Sequence, residues 1–474
     1  MTRFIRTALL IAASLASPAR ADHIDPYDTV QKIYESFKAG GSYQESRAMF
    51  SQALRDARHD GKLDPGFAIL YAMYSDLARY DGNPAFALQL ADEGIALTLT
   101  EVPPDENLKN TLLVSRAYAL AELGQYQQAV EGVAITALWM GKRFGEKART
   151  DLEAMARGWA EQAAGPAGAA AKLPAAVDLS TDLLVQAQDA FSAKDTRTAI
   201  MLASRAMLPD GTGLRQLDVD YQNSRVHMVL GASYFSEGRY KLAIVALRRA
   251  ADLLSISPWD GKTKAVLRPE VLNDVEPSRT VWLVFSYLAS SAAGLRDWAL
   301  CAVALESVEQ FATTPERRFA LLSQRATIAF HAEDYGQAEE MFRRGEGDAV
   351  ASGDALNAAL ARMYIGFAHL AGSDRKPEGG EDDEVVRLAS AAADAAGDDK
   401  QSVEYILTTA ARMVVDTTSS YDAAMPLARR AFAVFKQRQD AMSGYDAGQD
   451  ANRRERRNFL EMLIAGEYAA AHPK

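Results

Sequence analysis

The residues able to do chemistry are scattered. The six histidines are His23, His59, His227, His331, His369 and His472, and no two of them stand in the H-E-x-x-H spacing that puts two imidazoles on one helical face with a glutamate. There is no G-x-S-x-G elbow to raise a serine nucleophile and no G-x-x-x-x-G-K-[ST] loop to cradle a phosphate. The single cysteine, Cys301, lacks the basic neighbours that would favour its thiolate, and it reads as a small buried apolar residue. Glu378, Glu381, Asp382, Asp383 and Glu384 are acidic enough for calcium but lack the loop spacing that would close around it, so residues 372–384 read as a solvated acidic loop. Arg453, Arg454, Arg456 and Arg457 form a basic cluster, read as a solvated helix start beside Glu455 and Glu461. The expectation is a chain that is not an enzyme and needs no cofactor or metal.

The elements that carry these residues read as helices. The chain has 474 residues, 48% of them hydrophobic and 24% charged, a composition that folds. At roughly 100–200 residues per domain its length fits a few domains or one long repeat array. Its net charge of −11 disfavours general nucleic-acid binding, and one cysteine excludes a disulfide framework. Residues 1–21 carry Arg3 and Arg6, the short apolar run Thr7–Ser17, and Ala19-Arg20-Ala21. That is the pattern of a cleavable export signal, cut after Ala21. It resembles a bacterial Sec signal and implies a periplasmic protein. Removing Arg3, Arg6 and Arg20 with it takes the charge from −11 to −14. With no cysteine after the cut, no lipid anchor is expected, and no other stretch is apolar enough to span a membrane.

Beyond Asp22 the apolar residues recur at helical spacing. Tyr240, Ala243, Leu247, Ala250 and Leu254 step by three and four along one face. His227, Leu230, Gly231 and Tyr234 form a stripe before them, with Glu237-Gly238-Arg239 as the turn. Ala117, Gly124, Tyr126, Ala129 and Val133 repeat the spacing of Gly231, Gly238, Tyr240, Ala243 and Leu247 step for step. Ala326, Tyr335, Ala338 and Phe342 keep it without a turn glycine. Weaker copies start at Tyr43, Ala87, Ala199, Trp298 and Tyr421. Alternating β-branched runs with Asn-Gly or Asp-Gly hairpin turns are expected to be absent. Small residues at Gly231 and Ala243 let two helices approach closely, with Tyr240 filling the space beside them.

This pattern resembles the tetratricopeptide repeat, a 34-residue helix-turn-helix unit. The resemblance spans most of residues 27–440 and implies an all-α fold: an α-solenoid of antiparallel helix pairs wound as a right-handed superhelix. The expected organisation is a signal peptide at 1–21, a first array at 22–160, an Ala/Gly/Pro linker at 161–176 (or, equally, a loose repeat junction inside one continuous superhelix), a second array at 177–440 and a C-terminal capping helix at 441–474. Residues 255–279 read as a long connection between repeats.

The family's first helices line a groove that receives peptides or partner helices. Carried onto the better-matched copies, the groove positions are Val114, Tyr118 and Glu122; Arg225, Met228, Phe235 and Ser236; and Ser323, Thr327, Phe330 and His331. Of these, Tyr118, Glu122, Arg225, Met228, Phe235, Phe330 and His331 are the candidate partner-binding residues. The implied function is a scaffold or adaptor for a protein or peptide partner, with self-association as a further expectation. The alternative is a regulatory partner of a separately encoded protease or of another envelope enzyme. The protease reading comes from the closing segment RRERRNFLEMLIAGEY, which looks like the connector that precedes a CHAT protease domain.

Overall fold

The computed structural model describes residues 26–39, 42–59, 62–100, 104–164, 173, 175–209, 215–272, 275–373, 381–418 and 421–441. The expected signal peptide, the capping helix beyond residue 441 and most of the expected linker lie outside them.

The described residues are all-α apart from one short antiparallel strand pair, Arg58–His59 with Lys62–Leu63. The dipeptide between these strands is Asp60-Gly61, a hairpin signal that the helix-centred reading passes over. The helices are α1 (Pro26–Lys38), α2 (Tyr43–Asp56), α3 (Ala68–Tyr80), α4 (Pro84–Thr98), α5 (Glu106–Glu122), α6 (Tyr126–Phe144), α7 (Glu146–Ala164), α8 (Ala176–Ser192), α9 (Thr196–Ala206), α10 (Gln216–Ser236) and α11 (Tyr240–Leu254). They continue as α12 (Pro269–Leu272), α13 (Val275–Gly294), α14 (Trp298–Val308), α15 (Pro315–His331), α16 (Tyr335–Ser352), α17 (Ala355–Gly372), α18 (Glu381–Ala395), α19 (Lys400–Thr418) and α20 (Tyr421–Ala441).

Two compact units are present. One runs to Ser236 and includes Val245–Leu254; the other comprises Glu237–Ile244 and the chain from Ser255 onward. Helices from both sides of the expected linker, α7 and α8, belong to the first unit. In each unit, helices adjacent in the chain pack on one another as antiparallel pairs: α3 on α4, α5 on α6 and α8 on α9 in the first; α15 on α16, α17 on α18 and α19 on α20 in the second. The cores are thin layers between them. Val114, Ala117, Ala129, Val133, Leu152 and Ala156 make one from α5, α6 and α7, and Phe367, Ala389, Leu407, Ala410 and Ala428 belong to another from α17 to α20.

One turn recurs. A residue with positive φ stands two places before the second helix of six pairs: Gly82 (78°), Gly124 (77°), Lys194 (65°), Gly238 (68°), Arg296 (59°) and Glu333 (62°). In five of them the next N–H closes back on the first helix, as with Gln125 N to Leu120 O and Asp334 N to Ala329 O, both 2.9 Å. A left-handed conformation suits glycine and costs other residues about 1–2 kcal/mol. All three non-glycine turns are followed by aspartate. Asp195, Asp297 and Asp334 accept the backbone N–H of Thr198, Leu300 and Gln337 at 3.0–3.1 Å and cap the second helix. The cap, worth about 1 kcal/mol, offsets much of the strain. Where Gly124 makes the turn, Gln125 provides no side-chain cap.

The close approaches fall where small residues were expected. A Cβ on Gly231 would lie 2.4 Å from Leu247 Cγ, and one on Gly94 would lie 2.6 Å from Leu112 Cδ2 and 2.7 Å from Tyr71 Cβ. Tyr240 is only half-buried; its ring lies against Gly294, where a Cβ would come within 2.7 Å of it.

The expected long connection is built rather than loose. Ser255 and Leu267 form an antiparallel bridge, Arg268 donates to Ser255 O (2.9 Å), Trp259 Nε1 donates to Thr263 O (2.6 Å), and Ala265 N donates to Ser307 Oγ (2.9 Å). Part of the expected acidic loop is helical: α18 begins at Glu381, and Glu384 pairs with Arg387 one turn on.

Candidate functional site

The copies share a register. Gly231 stands twelve residues before Ala243 and Ala117 twelve before Ala129; Ser75 stands twelve before Ala87. Ser75 is buried, and its hydroxyl donates to Ala87 O at 2.8 Å, so α3 and α4 cross there. Tyr118 and Glu122 lie one and five places after Ala117. The same offsets from Ser75 give Asp76 and Tyr80, with Arg79 one residue before the second. The sequence reading missed these three because it sought glycine or alanine at the crossing, and this copy has serine.

Structurally these residues converge. Arg79 Nε and Nη2 donate to Glu122 Oε1 at 3.0 and 2.8 Å, and Arg79 Nη1 donates to Asp76 Oδ1 at 3.2 Å. The guanidinium lies 4.5 Å from the centre of the Tyr118 ring, within cation–π range, and 5.7 Å from that of Tyr80. Tyr118 meets Trp159 of α7 edge to face, with ring centroids 5.5 Å apart. Three helices, α3, α5 and α7, thus contribute to one patch.

Its electrostatics are those of a recess. Burial pushes the Asp76 carboxyl above its ordinary range, against the pull of Arg79 and a hydrogen bond with Ser115. A third of the Asp76 side chain (33%) is still exposed, so water reaches a group that protein otherwise surrounds. Burial works against the Arg79 charge, but the bond to Glu122 and the fields of Asp76 and Glu122 outweigh it and raise its pKa. Burial also raises the Tyr118 phenol, so it stays neutral. Tyr80 is 45% exposed, and Leu123, which follows Glu122, is exposed as well.

The other candidates are dispersed. Met228 is only 7% exposed and belongs to the core of the first unit, so in this structure it offers a partner no surface. Arg225 and Phe235 are half-buried on the same helix. The reason is α10 itself, which is buried on nearly every side. Tyr234, 1% exposed, donates from its hydroxyl to Leu99 O at 2.8 Å. Asn223 brackets Leu208, accepting from its N–H at 2.9 Å and donating to its carbonyl at 2.8 Å, and Gln222 donates to Ser180 Oγ at 3.0 Å. Nearby, Lys109 is fully buried, paired to Glu106 (2.7 Å) and donating to Ser204 O (2.9 Å). His227 is buried in this polar seam and, among the described residues, its Nδ1 has no hydrogen-bond partner. Burial, then Arg249 and Lys109, lower its pKa to about 3.

In the second unit Phe330 packs between repeat layers and edge-on to Tyr335 (5.2 Å). His331 is exposed and stacks on Trp298 at 4.4 Å; burial of part of the ring, then Arg296 and Arg412, lower its pKa. An open depression in this unit is flanked by Arg343 and Arg362, but these pair with Glu339 (2.5 Å) and Glu346 (2.7 Å). Cys301 is buried, and burial followed by the field of Asp297 pushes its thiol up to about 12, the opposite of an activated nucleophile. Among the described residues no group of three His, Cys, Asp or Glu side chains could hold a metal, and no helix is long and apolar enough to cross a membrane.

No family model matches the chain, and no curated protein does. Solved structures do align over its length. The TPR domain of P58(IPK) is 14% identical, with 92% of this chain and 99% of that chain covered, at a TM-score of 0.23. Yeast Tom70 is 13% identical, with 94% and 96% covered and a TM-score of 0.22. The APC/C hetero-tetramer Cut9–Hcn1 gives 10% identity, 95% and 98% coverage and 0.23. Overlap this low leaves the fold class resting on the chain's own packing: paired helices, one recurring turn and small residues at each crossing. The fold is tetratricopeptide-like. Within it α3 and α5 lie in contact, joined through Arg79.

Proposed function

We propose that the chain is an exported, periplasmic scaffold that binds a protein or peptide partner on the face formed by α3 and α5. The observation that carries this reading is the convergence of Asp76, Arg79, Tyr80, Tyr118 and Glu122 from matching positions of two consecutive helix pairs. Aromatic rings beside a fixed guanidinium are the kind of residues that anchor protein interfaces. The signal pattern at residues 1–21 supports the compartment.

The test is capture of a partner from periplasmic extract by the processed chain, followed by titration of that purified partner. Tyr118→Ala and the milder Tyr80→Ala should each weaken binding about tenfold or more, with helicity unchanged. Equal affinity for wild type and both variants would remove this face as the site.

A further inference from the structure

We infer that the α3–α5 face takes a segment of a partner protein that carries a lysine or arginine side chain. The inference rests on the binding reading above and adds the chemistry of what is bound. Two carboxyl groups, Asp76 and Glu122, flank one cation, Arg79, so acceptor groups outnumber the cation that serves them. Arg79 is already committed: its donors reach both carboxylates, and its face lies over Tyr118. An incoming carboxylate would have to displace one of its own partners, which disfavours an acidic ligand.

Glu122 has capacity left. Both Arg79 bonds go to Oε1; among the described residues Oε2 takes none, and the side chain is 41% exposed. The exposed ring of Tyr80 stands beside this carboxylate pair, and aromatic face plus carboxylate is the combination that receives an ammonium or guanidinium. Exposed Leu123 follows Glu122 in the chain and suits the aliphatic stem of such a side chain. An added cation would also relieve the Asp76 carboxylate, whose charge burial disfavours. The chain's overall charge of −11 would steer a basic segment toward it.

The experiment uses fluorescence anisotropy of two short labelled peptides against the full chain, one of alternating leucine and lysine, the other of alternating leucine and glutamate. Glu122→Gln removes the proposed acceptor charge. Asp398→Asn removes an equal charge from an exposed site in the other unit. The expected result is binding of the lysine peptide alone, weakened about tenfold by Glu122→Gln and unchanged by Asp398→Asn. Equal weakening by both variants would reduce the effect to general attraction and overturn the inference. Preferential binding of the glutamate peptide would overturn it as well. Binding of neither peptide, while a captured partner still loses affinity for Tyr118→Ala, would overturn the cation assignment and leave the scaffold reading standing.

Discussion

The faces of α5 and α10 occupy matching positions of two copies of one repeat and differ where Tyr118 stands on one and Ala232 on the other. On α5, Tyr118 and Glu122 join Asp76, Arg79 and Tyr80 at a surface that solvent reaches. On α10, Ala232, which matches Tyr118, is core, whereas Ser236, which matches Glu122, is exposed; Met228 matches Val114, and both are core. The sequence match is better on α10, so quality of match does not determine exposure. What determines it is where the rest of the chain goes. The first unit returns α8 to α10 against α4 to α6 through Tyr234–Leu99, Lys109–Ser204 and Trp139–Met207, and the α10 face is closed in the process.

The largest effect should come from the closed face. Tyr234→Ala removes a buried ring and should cost about 3–5 kcal/mol in denaturant unfolding. Tyr234→Phe, which loses only the bond to Leu99, should cost about 1 kcal/mol. Tyr80→Ala on the open face should stay within about 0.5 kcal/mol. If Tyr80→Ala proved as costly as Tyr234→Ala, the contrast between the faces would collapse.

The next effect is pH. His227 keeps a folded pKa of about 3, far below the ordinary 6.5. Above pH 6.5 the imidazole is neutral folded or unfolded and contributes no dependence. Below it the unfolded chain takes up a proton that the folded chain refuses, so stability falls until about pH 3. The loss should be about 2 kcal/mol between pH 7 and pH 5. His227→Leu should flatten that part of the difference. A wild-type chain and variant with the same pH dependence would show that the seam admits the proton.

The smallest effect separates the two kinds of turn. Asp334→Ala should cost about 1 kcal/mol, because the cap also offsets a strained turn at Glu333. Gln125→Ala, beside a glycine turn with no side-chain cap, should cost clearly less. Thermal or denaturant midpoints decide it, and equal losses would contradict the offset.

Much of the fold was legible because periodicity is local. Helix pairs, the small residues at Gly231 and Ala243, and the core position of Cys301 follow from spacing alone. The copies at Ala199, Trp298 and Ala326 lack the turn glycine. Lys194-Asp195, Arg296-Asp297 and Glu333-Asp334 make the same turn by pairing a left-handed residue with a capping aspartate. The site was half legible: Tyr118 and Glu122 were visible, whereas Asp76, Arg79 and Tyr80 were hidden behind a serine at the crossing. The burial of Met228 was not legible, because the polar groups of α10 are satisfied by backbone and side-chain atoms far away in sequence.

The central claim is that the α3–α5 face meets a partner while Met228 of α10, carried over as a groove position, is interior. Thiol labelling tests it directly, since the native Cys301 is buried and introduced thiols report alone. Tyr80→Cys and Met228→Cys are each exposed to a maleimide in the full chain, with and without the captured partner. The account predicts fast labelling at position 80, protection there when the partner binds, and little labelling at position 228 in either state. Fast labelling at position 228, or no protection at position 80, would contradict it.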